Sequence, residues 1–419
     1  MAKFKVAIAG LGNRGRDTYG RFILDNAGDM VVTAVADIDS SKRKEAQSAF
    51  GLSSSACYST AEEMFLKDKL SDIAFICTPD DAHYKHAIAA LDKGYHLLLE
   101  KPIAVTKEQC VEITKLAKEK DRRVIVCHVL RYTPFYSAIN QVIKSGEIGD
   151  FVTLNTVENV GYYHHAHSFV RGNWGNTQKS SPMILAKCCH DLDAILWLTG
   201  KSIETVSSYG DLHYFKADKA PEGAAKRCLD GCSAKETCPY DAEKIYLPED
   251  IRPDENGHLG WPADVLVRPA TKDSVLNALK TGPYGRCVFH CDNDAVDHQV
   301  VNIAFKDGTT AHLTMSAFSA DIYRTVQVMG TLGMIEADMR TNTVTVSVFG
   351  KKTRVINANT LEAQDGHGGG DIKLFESLSD VLSNPSEIPL TDISHSITSH
   401  LACFAAEQSR QNGGKPVGI

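Results

Sequence analysis

Residues 4–15 read FKVAIAGLGNRG, and this segment sets the architecture of the first part of the chain. An apolar run of strand length leads into three glycines in the pattern G-x-G-x-x-G, and a predicted helix follows. Glycines in this pattern permit a tight turn, the close approach of a pyrophosphate to the backbone, and packing of the helix on the sheet. The segment therefore predicts the first strand and the nucleotide loop of a Rossmann domain.

Asp37 ends the second predicted strand, residues 30–36, and lies 22 residues after the last glycine of the loop. A carboxylate at this place accepts hydrogen bonds from the ribose hydroxyls of adenosine and repels a 2′-phosphate. The pattern favours NAD over NADP, although the basic residues Arg14, Lys42 and Arg43 nearby could offset that preference. Glycines that serve only as turn residues, with Asp37 a surface carboxylate, are the alternative. The candidate cofactor-binding residues of this region are Gly10, Gly12, Asn13, Arg14, Gly15 and Asp37.

Strands and helices alternate through the first 130 residues. Predicted strands at 73–77, 96–99 and 123–127 separate predicted helices at 17–24, 41–49, 82–93 and 107–118. This alternation predicts a doubly wound parallel sheet that is covered on both faces. Ligands bind such a sheet at the carboxyl ends of its strands, so Thr78, Pro79 and His83 are further candidate cofactor contacts. An ordinary residue at a helix start is the alternative for His83.

The pattern changes after about residue 133, where longer segments of alternating polarity begin. These segments, at 151–160, 205–214, 296–305, 309–318, 325–329 and 343–349, predict a large, open, mostly antiparallel sheet. A helix at 182–198 is expected to lie against this sheet, and a last helix is expected at 393–410. We therefore predict an α/β protein with a Rossmann domain at 1–130 and a second α/β domain at 131–419.

The composition excludes several classes of protein. A chain of 419 residues is too long for one compact core and suits two domains. Lys and Arg number 45 against 52 Asp and Glu, so the net charge of -7 leaves no basic surplus for a nucleic acid. The longest apolar runs are far shorter than the roughly 20 residues of a membrane helix, and the N-terminal run is too short for a signal peptide. We expect a cytoplasmic protein without a nucleic-acid or membrane partner.

Glu100-Lys101-Pro102 follows the predicted strand at 96–99, so Lys101 is expected at the same sheet edge as the cofactor. An ammonium group there can hydrogen-bond a substrate hydroxyl and stabilise negative charge on its oxygen. Glu100 is a candidate cofactor contact beside it. A surface lysine after a strand is the alternative for Lys101.

These motifs resemble the Gfo/Idh/MocA family of NAD(P)-dependent sugar oxidoreductases. The likeness rests on the glycine loop, on Thr-Pro after the third predicted strand and on Glu-Lys-Pro, and residues 396–417 resemble the family's closing helix. A subgroup of the family shares the segments HVLRYTPF, VRGNW, AKCCHD and DNDAVDHQ. The resemblance implies an enzyme that transfers a hydride between NAD and a sugar or cyclitol carbon. It also implies a homodimer or homotetramer formed through the C-terminal sheet.

The resemblance assigns to His190 the role of the general base that exchanges the hydroxyl proton, which suits a near-neutral imidazole. Lys187 lies three residues earlier on the predicted helix, so both side chains are expected to converge on one ligand. Solvated helix residues are the alternative for both. The family pattern has an aspartate four residues before the histidine, where this sequence has Ala186.

Two other functions stay open, and the altered Ala186-Lys187 pair favours the first of them. One is a redox-neutral enzyme that oxidises a sugar transiently, cleaves its glycosidic bond and returns the hydride to the sugar. The other is a sugar or nucleotide sensor without catalysis, against which the retention of both Lys101 and His190 argues.

Several polar and aromatic residues are candidates for binding a carbohydrate substrate. Aromatic faces stack on sugar rings, and Arg and His side chains donate to hydroxyls. The candidates are Arg131, Tyr162, Arg171, Trp174 and His367. Loop packing is the alternative for Arg171 and Trp174, and a glycine hinge is the alternative for the segment around His367.

A proline-rich insertion at about 221–291 carries a group of cysteines. Thiolates grouped in a reducing compartment can bind zinc and brace a loop that has little core of its own. The candidate ligands are Cys228, Cys232, Cys238 and Cys287, with Cys291 as an alternative to the last. Their spacings differ from the C-x-x-C pairs of common zinc sites, so an iron–sulfur cluster and free thiols stay open at this point.

Overall fold

The first sheet contains six parallel strands. In this computed structural model, which describes residues 4–26, 29–359, 367–384 and 386–419, they are β1 (Phe4–Ala9), β2 (Met30–Ala36), β3 (Cys57–Tyr58), β4 (Ile73–Ile76), β5 (His96–Leu99) and β6 (Val124–Val126). Their order in the sheet is β3-β2-β1-β4-β5-β6. The predicted doubly wound parallel sheet is confirmed.

Helices cover both faces of this sheet. A π-helical segment, Asn13–Gly20, continues into α1 (Arg21–Asp25), and it is followed by α2 (Ser40–Phe50), α3 (Ala61–Leu66), α4 (His83–Asp92) and α5 (Lys107–Glu119). The first helical segment begins four residues earlier than the predicted start at residue 17. Its first turn therefore follows directly from the glycine loop.

The second sheet contains nine strands. They are β7 (Phe151–Asn159), β8 (Ile203–Asp211), β9 (His298–Phe305), β10 (Thr310–Ser316), β11 (Tyr323–Gly330), β12 (Gly333–Asp338), β13 (Thr343–Val348), β14 (Arg354–Asn357) and β15 (Val417–Gly418). Their order is β14-β13-β12-β11-β7-β10-β9-β8-β15, and β7 with β10 forms a parallel pair in an otherwise antiparallel arrangement. Alternate residues of each strand, such as Leu154, Thr156 and Glu158 of β7, are buried on one face. The predicted mostly antiparallel sheet is confirmed.

The second half of the chain also contains helices, some of which lie in the proline-rich insertion. They are α6 (Pro134–Lys144), α7 (Tyr162–His165) with a π-helical extension (Ala166–Arg171), α8 (Met183–Ala186), α9 (Cys189–Thr199), α10 (Ala242–Tyr246), α11 (Lys272–Thr281), α12 (Gly370–Ser383) and α13 (Ile393–Gln411). No helix among the described residues is long and apolar enough to cross a membrane.

The predicted single helix at 182–198 is wrong in one respect, because the chain forms two helices there. The break falls at Lys187 and Cys188, which separate α8 from α9. The apolar stripe survives the break, since Leu185, Cys188 and Leu192 are all buried in the core of the second sheet. The break changes the direction of Lys187 relative to His190, which matters for the site.

The last two helices connect the halves of the molecule. Leu374 and Leu378 of α12 pack into the apolar cluster formed by β1 and β4 of the first sheet. On α13, the Nε2 atom of His400 accepts a hydrogen bond of 2.9 Å from the backbone N–H of Ile103. The segment after Lys101 is therefore held by the C-terminal helix.

The proline-rich insertion has an apolar cluster of its own. Tyr246, Leu279 and Phe289 are buried together with Ala166 and Val170 of the π-helical extension. One contact reaches the first sheet's helices, because the Arg268 guanidinium pairs with Asp17 at 2.7 Å. The insertion thus packs on the second domain and touches the helical segment that follows the glycine loop.

Candidate active site

The glycine loop joins β1 to the π-helical segment that starts at Asn13. Gly10 has a φ of +91°, and a side chain there would collide with the carbonyl group of Cys77. A side chain on Gly15 would collide with the carbonyl oxygen of Gly10, so the helix can approach the strand only with glycine at that position. At Gly12, by contrast, no described atom lies within 4 Å of where a side chain would start. This open backbone is compatible with the close approach of a pyrophosphate.

Asp37 lies directly after β2 and connects it to the loop. Its carboxylate accepts hydrogen bonds from the backbone N–H of Leu11 at 2.7 Å and from that of Asp39 at 2.8 Å. Each carboxylate oxygen can accept a second hydrogen bond, which leaves acceptor capacity for ribose hydroxyls. Arg43 donates to the backbone oxygen of Asp37 at 2.6 Å. The residues therefore fit the adenosine end of a dinucleotide.

Arg14 lies in a buried ion network instead of beside Asp37. Its guanidinium donates to Glu100 at 2.6 Å, to Asp371 of α12 and to the hydroxyl of Tyr19. Burial alone would raise the pKa of Glu100, but the nearby Arg14 charge holds that pKa below its usual value. Arg14 and Glu100 thus bind the loop, the end of β5 and α12 together, and their roles as cofactor contacts stay predictions.

The two segments after β4 and β5 are joined by a histidine. His83 starts α4, with its Nδ1 atom 2.6 Å from the carbonyl oxygen of Pro102 and its Nε2 atom 2.8 Å from that of Thr78. Both ring nitrogens thus face the backbone, and the ring is buried. His83 holds Thr78-Pro79 against the Lys101-Pro102 segment, so the alternative of an ordinary helix-start residue describes it better than a cofactor contact.

Lys101 reaches from the edge of the first sheet to the second half of the molecule. Its Nζ atom donates a 2.8 Å hydrogen bond to the backbone oxygen of Ala186, the last residue of α8. The ammonium group therefore lies where the carboxyl edge of the parallel sheet meets the helix pair α8 and α9. This is the place that the sequence analysis expects for it.

His190 lies in the first turn of α9 among other histidines. Its ring centroid is 5.6 Å from that of His128 and 6.4 Å from that of His367, whose Nδ1 atom lies 2.7 Å from Asp371. The Nδ1 atom of His190 is buried and has no hydrogen-bond partner among the described residues. Burial, followed by the charge of Lys101, lowers the pKa of His190 well below its usual value. The imidazole is therefore neutral and has the free lone pair that a proton acceptor needs.

Lys187 does not share this position. It stands at the break between the helices, and its Nζ atom lies 3.2 Å from Oε1 of Glu158. The expected convergence of Lys187 and His190 on one ligand assumed a continuous helix, and the break removes the basis for it. Lys187 belongs to a buried network of alternating charges.

The centre of that network is Arg324 on β11. Its Nε atom lies 2.8 Å from Glu158 and donates at 2.7 Å to Asp191, the residue after His190. Burial raises the pKa of Asp191 to about 6, against the opposing effect of Arg324. The network fixes the start of α9 against the second sheet.

Arg131 is also held by a carboxylate. Its guanidinium forms two hydrogen bonds of 2.6 and 2.7 Å with Asp193 and a third of 2.9 Å with the backbone oxygen of Leu390. Arg131 is 5% exposed and is held in place by these bonds, and its role as a substrate contact stays a prediction. In the structure Arg131 pairs with the carboxylate of Asp193, which lies 3.7 Å from Nε2 of His128.

Trp174 lies between the two halves of the molecule. Its indole N–H donates to Asp80 at 3.0 Å, and the hydroxyl of Ser181 donates to the same carboxylate at 3.1 Å. Asp80 directly follows Thr78-Pro79, so the half-buried indole borders the sheet edge where the cofactor is expected. Tyr162 instead packs toward the insertion, with its ring centroid 6.0 Å from that of Tyr240.

Arg171 lies under the insertion. It is 1% exposed and donates to the backbone oxygens of Arg286 and Tyr240, at 2.7 Å each, and to the sulfur of Cys228 at 3.5 Å. The alternative of loop packing is the correct one for Arg171. The guanidinium ties both ends of the insertion to the π-helical extension of α7.

The four cysteines proposed as zinc ligands, Cys228, Cys232, Cys238 and Cys287, line one small cavity next to Arg171. Burial raises the pKa of Cys287 to about 11 and also raises those of Cys228 and Cys238. In the parts of the chain that the structure describes, no group of three or more His, Cys, Asp or Glu side chains is arranged to hold a metal ion. The prediction of structural zinc is therefore not supported.

Three residues of this region escaped the sequence analysis as site residues. His128 follows β6 and lies against His190, Asp193 pairs Arg131, and Asp371 binds both Arg14 and His367. The sequence draws attention to the HVLRYTPF segment and to the glycines around His367, but it does not single out these three residues. Apart from His367, which lies four residues before Asp371, the partners of these residues lie far away in sequence, so a local pattern does not report those contacts.

Comparisons with known proteins identify the family of the chain. A family described as "Oxidoreductase family, NAD-binding Rossmann fold" matches residues 4–128, and its "C-terminal alpha/beta domain" matches residues 140–419. YteT of Bacillus subtilis strain 168, a protein named as an oxidoreductase, is 25% identical over 73% of this chain and 72% of its own length.

Two further relatives carry more specific names. The 1-carboxy-3-chloro-3,4-dihydroxycyclohexa-1,5-diene dehydrogenase of Comamonas testosteroni is 27% identical over 76% of this chain and 78% of its own length. The crystal structure of an inositol dehydrogenase homolog complexed with NAD+ from Azotobacter vinelandii has a TM-score of 0.69 at 14% identity and covers 100% of this chain and 98% of that one. Because both domain matches together span nearly all of the sequence, the chain belongs to the Gfo/Idh/MocA family of oxidoreductases with an NAD-binding Rossmann domain.

Proposed function

We propose that this protein is an NAD-dependent dehydrogenase that oxidises a hydroxyl-bearing carbon of a sugar or cyclitol, or reduces the corresponding ketone. One observation carries the proposal: the ammonium group of Lys101 and the buried, neutral imidazole of His190 lie together where the nucleotide-binding sheet meets α9. A pure binding protein has no need of a base and a cation at this place. The family resemblance supports the same roles.

NAD, when bound, supplies the hydride acceptor. The chain's own residues handle the oxygen and its proton. His190 takes the hydroxyl proton and becomes an imidazolium, while Lys101 donates a hydrogen bond to the same oxygen and stabilises the negative charge that develops on it. In the reverse direction His190 returns the proton.

The substrate class is inferred from the relatives and from the cleft. Two similar proteins are named for a dihydroxylated six-membered ring and for inositol, respectively. Trp174, whose indole N–H donates to Asp80, and His367, whose ring is 6.4 Å from that of His190, are the proposed contacts of the substrate ring. We therefore propose a ring bearing neighbouring hydroxyls as substrate, and a homodimer or homotetramer formed through the second sheet.

The test follows NADH absorbance and product masses while the purified protein and NAD are incubated with free sugars, cyclitols and glycosides. A ketone product that accumulates together with NADH is expected. His190→Ala and Lys101→Ala should each lower kcat by about 10²-fold or more, with NAD affinity nearly unchanged. The exposed residues His395 and Lys107 provide matched controls, since His395→Ala and Lys107→Ala should leave kcat unchanged. Full activity of His190→Ala would refute the proposal.

One observation favours a second candidate function. The family's aspartate is replaced by Ala186, whose backbone oxygen instead binds Lys101, so the groups around the base differ from the usual arrangement. A redox-neutral glycoside-cleaving enzyme would use the same two residues. The same experiment separates the two, because cleavage of a glycoside without net NADH would establish the second function.

The choice of NAD over NADP rests on Asp37. Its carboxylate would meet the ribose hydroxyls of NAD and repel a 2′-phosphate. Asp37→Ser should weaken NAD binding and improve NADP binding, as measured by titration of each nucleotide. Unchanged affinity for both would remove Asp37 from the cofactor site.

A further inference from the structure

His190 lacks the carboxylate that usually orients a catalytic imidazole. Ala186 stands four residues before it, and the backbone oxygen of Ala186 is occupied by Lys101. Within the described residues the buried Nδ1 atom of His190 has no partner. A general base needs a fixed orientation and a fixed tautomer, so another group has to supply them.

His128 is in the right place to do so. Its ring is fully buried and is a neighbour of the His190 ring, at 5.6 Å between centroids and 79° between planes. On its other side, its Nε2 atom lies 3.7 Å from Oδ1 of Asp193. The ring therefore lies between a buried carboxylate and the base.

Neither nitrogen of His128 has a hydrogen-bond partner in residues 4–26, 29–359, 367–384 and 386–419. A buried imidazole always carries at least one N–H, and leaving it unpaired is costly. Such a group is typical of a site that is completed only when ligand binds and hydrogen bonds shorten. The neighbouring rings of His128 and His190 can therefore each supply the hydrogen-bond partner that the other lacks.

The other groups around His128 cannot take this role. His400, at 5.4 Å between ring centroids, uses Nε2 to accept from Ile103 and has Nδ1 3.1 Å from the oxygen of Ser396. The charges that act on His128 are Arg131, Lys101 and Glu100, and after burial the first two lower its pKa further. His128 is therefore neutral, with one nitrogen to donate and one to accept.

We propose that His128 is a positioning residue for His190. Its Nε2–H faces Asp193, its unprotonated Nδ1 accepts the Nδ1–H of His190, and Nε2 of His190 is left as the basic nitrogen. Asp193 acts through His128 and is itself fixed by Arg131. No proton moves between the two rings; only Nε2 of His190 gains and loses one. The inference rests on the proposed role of His190 as the base.

The first test compares kinetics of His128→Phe, His128→Gln and His190→Ala in the complete protein with NAD. His128→Phe keeps the ring volume but has no acceptor, and its kcat is expected to fall about 10 to 100-fold with KM and NAD affinity nearly unchanged. His128→Gln keeps an acceptor oxygen and should recover part of the loss. Adding His128→Phe to His190→Ala should cost nothing further, because the first residue acts through the second.

The second test does not depend on turnover. The 15N shifts of the His190 ring, assigned from their loss in His190→Ala, should indicate a single tautomer with the proton on Nδ1 in the wild-type protein. They should indicate a mixture of tautomers in His128→Phe. If that variant fails to fold, His128→Leu, which also has no acceptor, allows the same comparison, and His128→Gln should keep the single tautomer.

The outcomes separate the two proposals. If His190→Ala is inactive while His128→Phe keeps both wild-type kcat and the wild-type 15N shifts, the positioning role is overturned and the base is retained. If His190→Ala is active, the proposed function itself fails. A double variant that is much less active than His190→Ala would also overturn the inference, because His128 would then act independently.

Discussion

The glycine loop and the start of α9 face the same cleft, and they differ in how their polar groups are satisfied. Around the loop, backbone contacts leave no space for a side chain at Gly10 or Gly15, and Asp37 is hydrogen-bonded to the loop. Around His190, buried ring nitrogens lack partners within the portion of the chain that is described. The loop is thus held by contacts within the protein, whereas the ring nitrogens of His128 and His190 are left for the ligand that we propose. Substitutions at the first should therefore affect folding, and substitutions at the second should affect turnover.

The largest effect on folding is expected at the ion network behind the loop. Arg14→Met leaves the carboxylates of Glu100 and Asp371 buried without their common partner. Removing one member of a buried pair costs about 3–5 kcal/mol of unfolding free energy. Arg21→Met is the matched control, because its pair with Asp25 is exposed and contributes little. Urea unfolding measures both, and equal stability of the two variants would refute the structural role of Arg14.

A smaller effect is expected from two glycines of the same loop. Gly15→Ala forces the helix away from β1 and should cost about 1–3 kcal/mol of stability, as overpacking usually does. Gly12→Ala meets open space, so its stability should stay within about 0.5 kcal/mol of wild type while NAD binding weakens. Thermal unfolding and NAD titration separate the two effects. If Gly12→Ala binds NAD as tightly as wild type, the pyrophosphate does not pass over this residue.

The difference between the glycine loop and the start of α9 also explains which features the sequence could predict. G-x-G-x-x-G is a local pattern, and the sterics that demand it act within a few residues of the loop. Arg131 and Arg171 had the right chemistry for a substrate site, yet they bind Asp193 and the oxygen of Tyr240, which lie 62 and 69 residues away. A sequence shows which side chain is present but not the direction in which it points. Lys187 adds a second cause, because only tertiary packing breaks the helix before His190.

Mild acid should weaken the protein through its buried histidines. Burial lowers the pKa of His400 to about 3 and the pKa values of His165 and His167 to about 4, below the ordinary value near 6.5. A group whose pKa is lower in the folded state stabilises the fold at higher pH, and this stability is lost as pH falls below 6.5. We expect the unfolding free energy to fall between pH 7 and pH 5.

A single variant tests the size of this effect. His400→Gln should remove about 1–2 kcal/mol of the loss between pH 7 and pH 5, because one proton taken up on unfolding corresponds to about 1.4 kcal/mol per pH unit. The exposed His395→Gln is the control and should leave the slope unchanged. Asp191 acts in the opposite sense: its pKa is raised to about 6, so its contribution is lost as pH rises through 6. An unchanged slope in His400→Gln would contradict the buried, neutral state of that ring.

The smallest effect is expected where the insertion touches the first domain. Arg268 and Asp17 form a 2.7 Å ion pair in which each side chain is about one-third exposed, and such pairs contribute about 0–1 kcal/mol. Arg268→Ala should therefore leave the melting temperature nearly unchanged at physiological salt. The difference in melting temperature between wild type and variant should shrink further at 1 M salt, because salt screens the ion pair. Asp17 lies in the helical segment that follows the glycine loop, so the same variant also shows whether the insertion influences the cofactor side of the cleft. A stability loss as large as that of Arg14→Met would show that this contact is part of the folded core. The insertion would then belong with the glycine loop, where substitutions affect folding, and not with the start of α9, where they affect turnover.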